Sequence, residues 1–110
     1  MTGPAASFVD PGTLAGWMAT NLVTLIDVRE PHEFAEARIA GSTLVPLSQF
    51  DPADILAAPG TRLVIHCRSG VRCGAAAERL LASGFDQPMW RLEGGIINWI
   101  HAGRPTERGD

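Results

Sequence analysis

The sequence has no lysine. All nine of its basic residues are arginine. That excludes chemistry built on an amine side chain, such as a Schiff base. It also lacks any excess of positive charge. The formal net charge is −3, so nothing in the balance favours nucleic acid or an anionic membrane. No apolar run is long enough to span a bilayer. No basic segment followed by an apolar one opens the chain, so no signal peptide is expected. Cysteine is scarce. Cys67 and Cys73 are the only two; they fit neither a secreted disulfide framework nor a Cys-x-x-Cys motif. No His/Cys cluster offers four ligands, so neither a metal nor a cofactor is expected. A reducing cytoplasm is the default compartment. Internal repeats, low-complexity tracts and linkers are absent too.

What remains is an ordinary globular composition. Hydrophobic residues make up 45% and charged residues 19% of 110 residues, enough for one domain with a modest core. Residues 1–7 are small and polar and read as a loose end. Phe8 and Val9 suit a short edge strand. Asp10-Pro11-Gly12-Thr13 supplies turn and N-cap chemistry, and Leu14, Trp17 and Met18 recur at helical spacing, which predicts a helix over 13–20. Trp17 reads as core packing. Val23–Val28 is almost continuously apolar, the pattern of a strand buried on both faces of a parallel sheet. Asp27 interrupts it near the C-terminal end, where ligands gather in open α/β sheets. Glu30-Pro31-His32-Glu33 predicts a helix to about Ala37, with Pro31 in its first position. Pro46 marks the strand of 43–47 as ending or lying at an edge. Asp51-Pro52-Ala53-Asp54 predicts a further helix ending near Pro59-Gly60. Met89–Leu92 is the last strand. Ile96, Ile97, Trp99 and Ile100 give a final amphipathic helix, stopped at Gly103-Arg104-Pro105. Strands alternating with helices predict a doubly wound parallel α/β sheet of about five short strands flanked by helices.

Residues 62–85 organise the rest. Leu63, Val64 and Ile65 form a buried strand, and helix formers follow from about 72 to 83. Gly84 offers a left-handed C-cap, with Phe85 as the apolar residue after it. Between strand and helix lie Cys67, Arg68, Ser69, Gly70, Val71 and Arg72. A cysteine leaving a strand and facing a helix N-terminus meets converging N–H groups. The helix dipole and two nearby guanidinium groups favour its thiolate. Such a position suits a nucleophile or an anion site.

Cys-Arg-Ser-Gly-Val-Arg after Val-Ile-His resembles the active-site loop of the rhodanese family of sulfurtransferases. Asp27-Val28-Arg29-Glu30, Ile39-Ala40-Gly41-Ser42 and Leu92-Glu93-Gly94-Gly95-Ile96 with Trp99 resemble that family's other signatures. The resemblance covers about residues 14–105 and implies a single rhodanese-like domain over 1–110. The family usually carries Gly-His-Ile where this chain has Ala37-Arg38-Ile39. The resemblance implies that Cys67 takes a sulfane sulfur from a donor such as thiosulfate. It then yields the sulfur to cyanide, a thiol or a carrier protein, by double displacement. The segment Arg68, Ser69, Gly70, Val71, Arg72 and Cys73 would wrap the sulfur with inward N–H groups. Arg72 would hold the donor's oxyanion by paired hydrogen bonds, and Arg68 either does the same at the mouth or is a solvated charge. Asp27 and Arg29 match a motif that supports the loop. Glu93 and Gly95 match a structural turn. The spacing Cys-x4-Arg is one residue shorter than the related Cys-x5-Arg loops of dual-specificity phosphatases and arsenate reductases, which favours sulfur over a phosphate-sized oxyanion.

Other readings stand beside this one. Cys67 could be a packing cysteine, the common fate of a lone thiol. The chain could be a non-catalytic module of the same family that binds or regulates a partner, or a redox sensor using Cys67 and Cys73. For Cys73, an inward N–H tends to send its side chain outward, so it reads as packing, with its thiol pointing away from the loop. His66 neighbours Cys67, and strand alternation turns it to the other side, so it is not assigned as a base. His32 and His101 read as solvent-facing.

Overall fold

The computed structural model describes residues 6–109. Five parallel strands form one sheet in the order β1-β5-β4-β2-β3. They are β1 (Ser7–Val9), β2 (Val23–Asp27), β3 (Thr43–Leu44), β4 (Arg62–His66) and β5 (Met89–Leu92). The two longest, β2 and β4, pair Val23 with Arg62 through Asp27 with His66. Four helices flank it: α1 (Pro11–Ala19), α2 (Pro31–Glu36), α3 (Val71–Ala82) and α4 (Gly95–His101). The expected doubly wound parallel sheet is therefore present. Much of the expected loose end at residues 1–7 lies outside the described residues; Ser7 already belongs to β1.

Side-chain alternation divides the core in two. On one face Ile26, Leu63, Ile65 and Met89 meet Cys73, Ala76, Ala77 and Leu80 of α3. On the other, Val9, Leu25, Val64 and Leu92 meet Leu14 of α1 and Ile96 and Trp99 of α4. Trp17 packs on this second cluster, as expected. Its ring meets Trp90 edge-on at 5.3 Å. Cys67 and His66, adjacent in sequence, fall on opposite sides for the same reason.

Local chemistry explains most boundaries. Asp10 Oδ1 accepts from the Thr13 N–H at 2.7 Å, so α1 starts at Pro11, two residues before the predicted start. Helix α3 ends as its sequence requires. Gly84 adopts φ +94. The Phe85 N–H reaches Leu80 O and the Gly84 N–H reaches Leu81 O, both at 3.1 Å, which satisfies carbonyls that the helix leaves open. One expected helix is absent. Between 51 and 60 there is only the 3-10 turn Pro52–Asp54. Its Asp51 cap bonds Ala53 N–H, but the seven residues from Pro52 to Ala58 are too few to stabilise a helix on their own. Burial of Ile55 beside Val45 and the Ala58 N–H bond to Thr24 Oγ1 at 3.0 Å hold the segment extended instead. The expected strand of 43–47 is cut to Thr43–Leu44 at the sheet edge, ahead of Pro46.

Candidate active site

Strand β4 delivers Cys67 to the C-terminal edge of the sheet, and α3 begins at Val71. The loop between them closes on the Cys67 sulfur. The Gly70 N–H lies 3.1 Å and the Cys73 N–H 3.4 Å from Sγ. Gly70 has φ +110, a conformation a β-carbon would oppose. That backbone turn aims its N–H at the Cys67 sulfur. The Cys67 thiol is held well below its ordinary value. The neighbouring Cys73 side chain contributes most, against burial, followed by the N–H groups of Cys73, Gly70 and Ser69. A thiolate is the form these donors stabilise.

Helix α4 closes the other side. The Ile96 N–H bonds Cys67 O at 2.9 Å and the Ile97 N–H bonds Arg68 O at 3.2 Å. This needs a backbone approach that only glycine permits. A Cβ on Gly95 would lie 2.4 Å from Arg68 O, and its φ is +64. Gly95 is thus structural, as its turn suggested.

Arg72 is already engaged. Its Nη1 and Nη2 donate to Glu33 Oε1 and Oε2 at 2.6 and 2.9 Å. This fork holds the Glu33 carboxyl down to about 2. Among the described residues, the Asp27 and Arg29 side chains make no hydrogen bond to residues 67–73. Arg29 Nη2 donates to Asp27 Oδ2 at 2.8 Å, and the pair is buried. The same guanidinium reaches Ala37 O at 2.6 Å and Glu33 O at 3.3 Å. It thereby holds α2, and α2 carries the Glu33 that grips Arg72. Arg68, Ser69 and Val71 form the exposed rim; Val71 is 78% exposed. Arg68 makes no side-chain hydrogen bond among the described residues. It borders a groove of about 480 Å³ with Arg29, Glu33, Ile96, Ile97 and Ile100.

Cys73 corrects an expectation. Its thiol does not point away from the loop but donates back to Gly70 O at 3.1 Å. The reason is helical: every Cα–Cβ bond leans toward the helix N-terminus, and in a first turn that is toward the loop. Its pKa is raised, by the Cys67 sulfur beside it and by burial. Sequence reasoning also missed two residues. Glu33 was seen only as part of a helix start. Arg91 was not singled out, although a charge inside the short apolar strand Met89–Leu92, on the face shared with Met89, was a usable signal. Arg91 Nη2 donates to Gly70 O at 2.6 Å and Nε to Cys73 Sγ at 3.5 Å. Gly74 makes room for it, since a Cβ there would lie 2.8 Å from Nη2. His66 is buried, 3.6 Å from Asp27 Oδ2, with neither ring nitrogen hydrogen-bonded. His32 and His101 are exposed. Among the described residues, no three His, Cys, Asp or Glu side chains group as a metal site.

A buried thiolate in a ring of N–H donors, at the end of a parallel strand, defines a class of cysteine-loop α/β domains. The Rhodanese-like domain family matches residues 10–102, and the chain belongs to that family. An uncharacterised protein of Synechocystis is 37% identical over 98 residues, covering 89% of this chain and 54% of that protein. The chain thus spans about half that relative's length. A sulfurtransferase of Allochromatium vinosum is 34% identical over 99 residues, covering 88% of this chain and 91% of that protein. The crystal structure of a rhodanese-related protein from Thermoplasma volcanium superposes with a TM-score of 0.78 at 30% identity, over 92% of this chain and 97% of that one.

Proposed function

We propose that the protein is a sulfurtransferase that carries a sulfane sulfur as a persulfide on Cys67. Family membership and the Allochromatium relative named a sulfurtransferase support transfer of sulfur in general. The observation that carries the finer reading is the pair of N–H groups at 3.1 and 3.4 Å from Sγ. Such donors stabilise a thiolate before reaction and a persulfide anion after it. The donor is a small sulfane compound such as thiosulfate. Cys67 is only 1% exposed, so the donor approaches end-on, by its terminal sulfur. Sulfite leaves, and the extra sulfur remains on Cys67. Arg68, at the rim, meets the departing oxyanion. A thiol, cyanide or a carrier protein then takes the sulfur. In this reading the protein works in a reducing cytoplasm, where both cysteines stay free thiols.

Mass spectrometry after thiosulfate treatment tests this. Immediately after loading, the protein should carry an extra sulfur atom on Cys67, which cyanide or an external thiol removes. Sulfur uptake and turnover that persist in Cys67→Ser would overturn the assignment.

A further inference from the structure

In the transfer reaction the Cys73 sulfur forms no covalent bond, yet the fold buries it in the loop that closes on the Cys67 sulfur. Both cysteines are buried, 1% and 0% exposed. The Cys73 N–H lies 3.4 Å from Cys67 Sγ, while its own sulfur bonds Gly70 O at 3.1 Å. A second observation is independent of the loop backbone. The Arg91 guanidinium, brought in from β5, aims Nε at Cys73 Sγ from 3.5 Å. A cation aimed at a buried thiol favours its thiolate.

We propose that Cys73 is the resolving partner of Cys67: once Cys67 carries a sulfane sulfur, the Cys73 sulfur attacks Cys67 Sγ, closes an intramolecular disulfide and releases hydrosulfide. The inference rests on the persulfide reading above. In the step, the Sγ–Sγ bond forms and the bond from Cys67 Sγ to the outer sulfur breaks. The Cys73 proton goes to the leaving sulfur. The Cys73 sulfur is oxidised and the outer sulfur is reduced to sulfide, so no outside oxidant is consumed. An external dithiol restores both thiols by exchange.

The charges make the step conditional. While Cys67 is a thiolate, its charge beside Cys73, together with burial, holds that thiol protonated. Loading moves the negative charge to the outer sulfur and leaves Cys67 Sγ neutral. The restraint on Cys73 is then gone, and Arg91 remains. The resting pair therefore does not react, and the loaded pair does. Disulfide closure requires Cα atoms about 4.4–6.8 Å apart with the side chains facing. A loop curled tightly enough to put the Cys73 N–H on Cys67 Sγ suits that distance.

The test compares the full chain with Cys73→Ser, which retains a hydrogen-bond donor but forms no disulfide. Both are loaded with thiosulfate, freed of excess donor and left without thiol. The wild type should release one sulfide per chain and become two hydrogens lighter than the reduced protein. The variant should stay a sulfur heavier and release sulfide only when a thiol is added. A wild type that holds its extra sulfur as long as the variant overturns the proposal while leaving the sulfurtransferase reading intact. If neither protein takes up sulfur, that reading fails, and a hydroperoxide replaces thiosulfate. Cys67 sulfenate then takes the place of the persulfide, and water is the leaving group. Disulfide in the wild type, against further oxidation of Cys67 in the variant, supports the resolving role. Equal over-oxidation in both overturns it.

Discussion

A thiol ringed by hydrogen-bond donors ionises early. Alkylation of Cys67 followed against pH should therefore give a midpoint well below the free-cysteine value of about 8.5. Cys73→Ala removes the side chain that contributes most to this lowering and should move the midpoint up. A midpoint at or above the free value in the wild type would dismiss the nest. Arg72 needs a different experiment. From spacing alone it should bind the donor's oxyanion, but its fork is filled by Glu33 at 2.6 and 2.9 Å. The expected outcome is that Arg72→Ala and Glu33→Gln slow thiosulfate and a neutral persulfide donor alike. Each should lose about 1.5–3 kcal/mol, the scale of a charge-assisted hydrogen bond. The double variant should lose little more than either single one, because both break the same contact. A loss confined to thiosulfate in Arg72→Ala would return that residue to the donor.

At the scale of elements, the loop is held by what packs around it. Helix α2 grips it through Glu33, and this grip titrates. The Glu33 carboxyl lies at about 2 in the folded chain against an ordinary 4.5. A lowered carboxylate contributes stability that is complete above the unfolded value and disappears as pH falls through the folded one. The stability gap between wild type and Glu33→Gln should be full above about pH 4.5 and close towards pH 2. Denaturant midpoints across that range would show it, and a gap independent of pH would mean that the contact does not form in solution. Helix α4 grips the loop through Gly95. Gly95→Ala places a methyl group 2.4 Å from Arg68 O, so α4 must retreat from the loop. Cyanide-dependent turnover should fall with the fold retained by circular dichroism. Unchanged turnover would show that the docking of α4 is dispensable.

At the scale of the whole molecule, His66 ends β4, the central strand of the sheet, with no side-chain hydrogen-bond partner among the described residues. Burial holds its imidazole below the ordinary 6.5, against the pull of Asp27. Its neutral form therefore contributes stability that is full above pH 6.5 and is lost as pH drops, because the unfolded chain takes the proton first. His66→Met should lose less stability than the wild type between about pH 7.5 and pH 5.5. Parallel losses would argue that His66 is charged in the fold. The sequence by itself determined the succession of elements along the chain: apolar β2 and β4, the glycine-ended α3, and a cysteine at a strand end before a helix. These are local signals, written in periods of two and of 3.6 and in turn residues. Only the tertiary structure decided three other matters. Residues 51–60 run extended because Ile55 and Thr24 hold them. The fork of Arg72 closes on Glu33, 39 positions earlier. Arg91, 18 positions after Cys73, reaches the back of the loop. Each joins segments distant in the chain. Which charge meets which thiol or carboxylate depends on how strands are ordered in the sheet, and periodicity carries no record of that order.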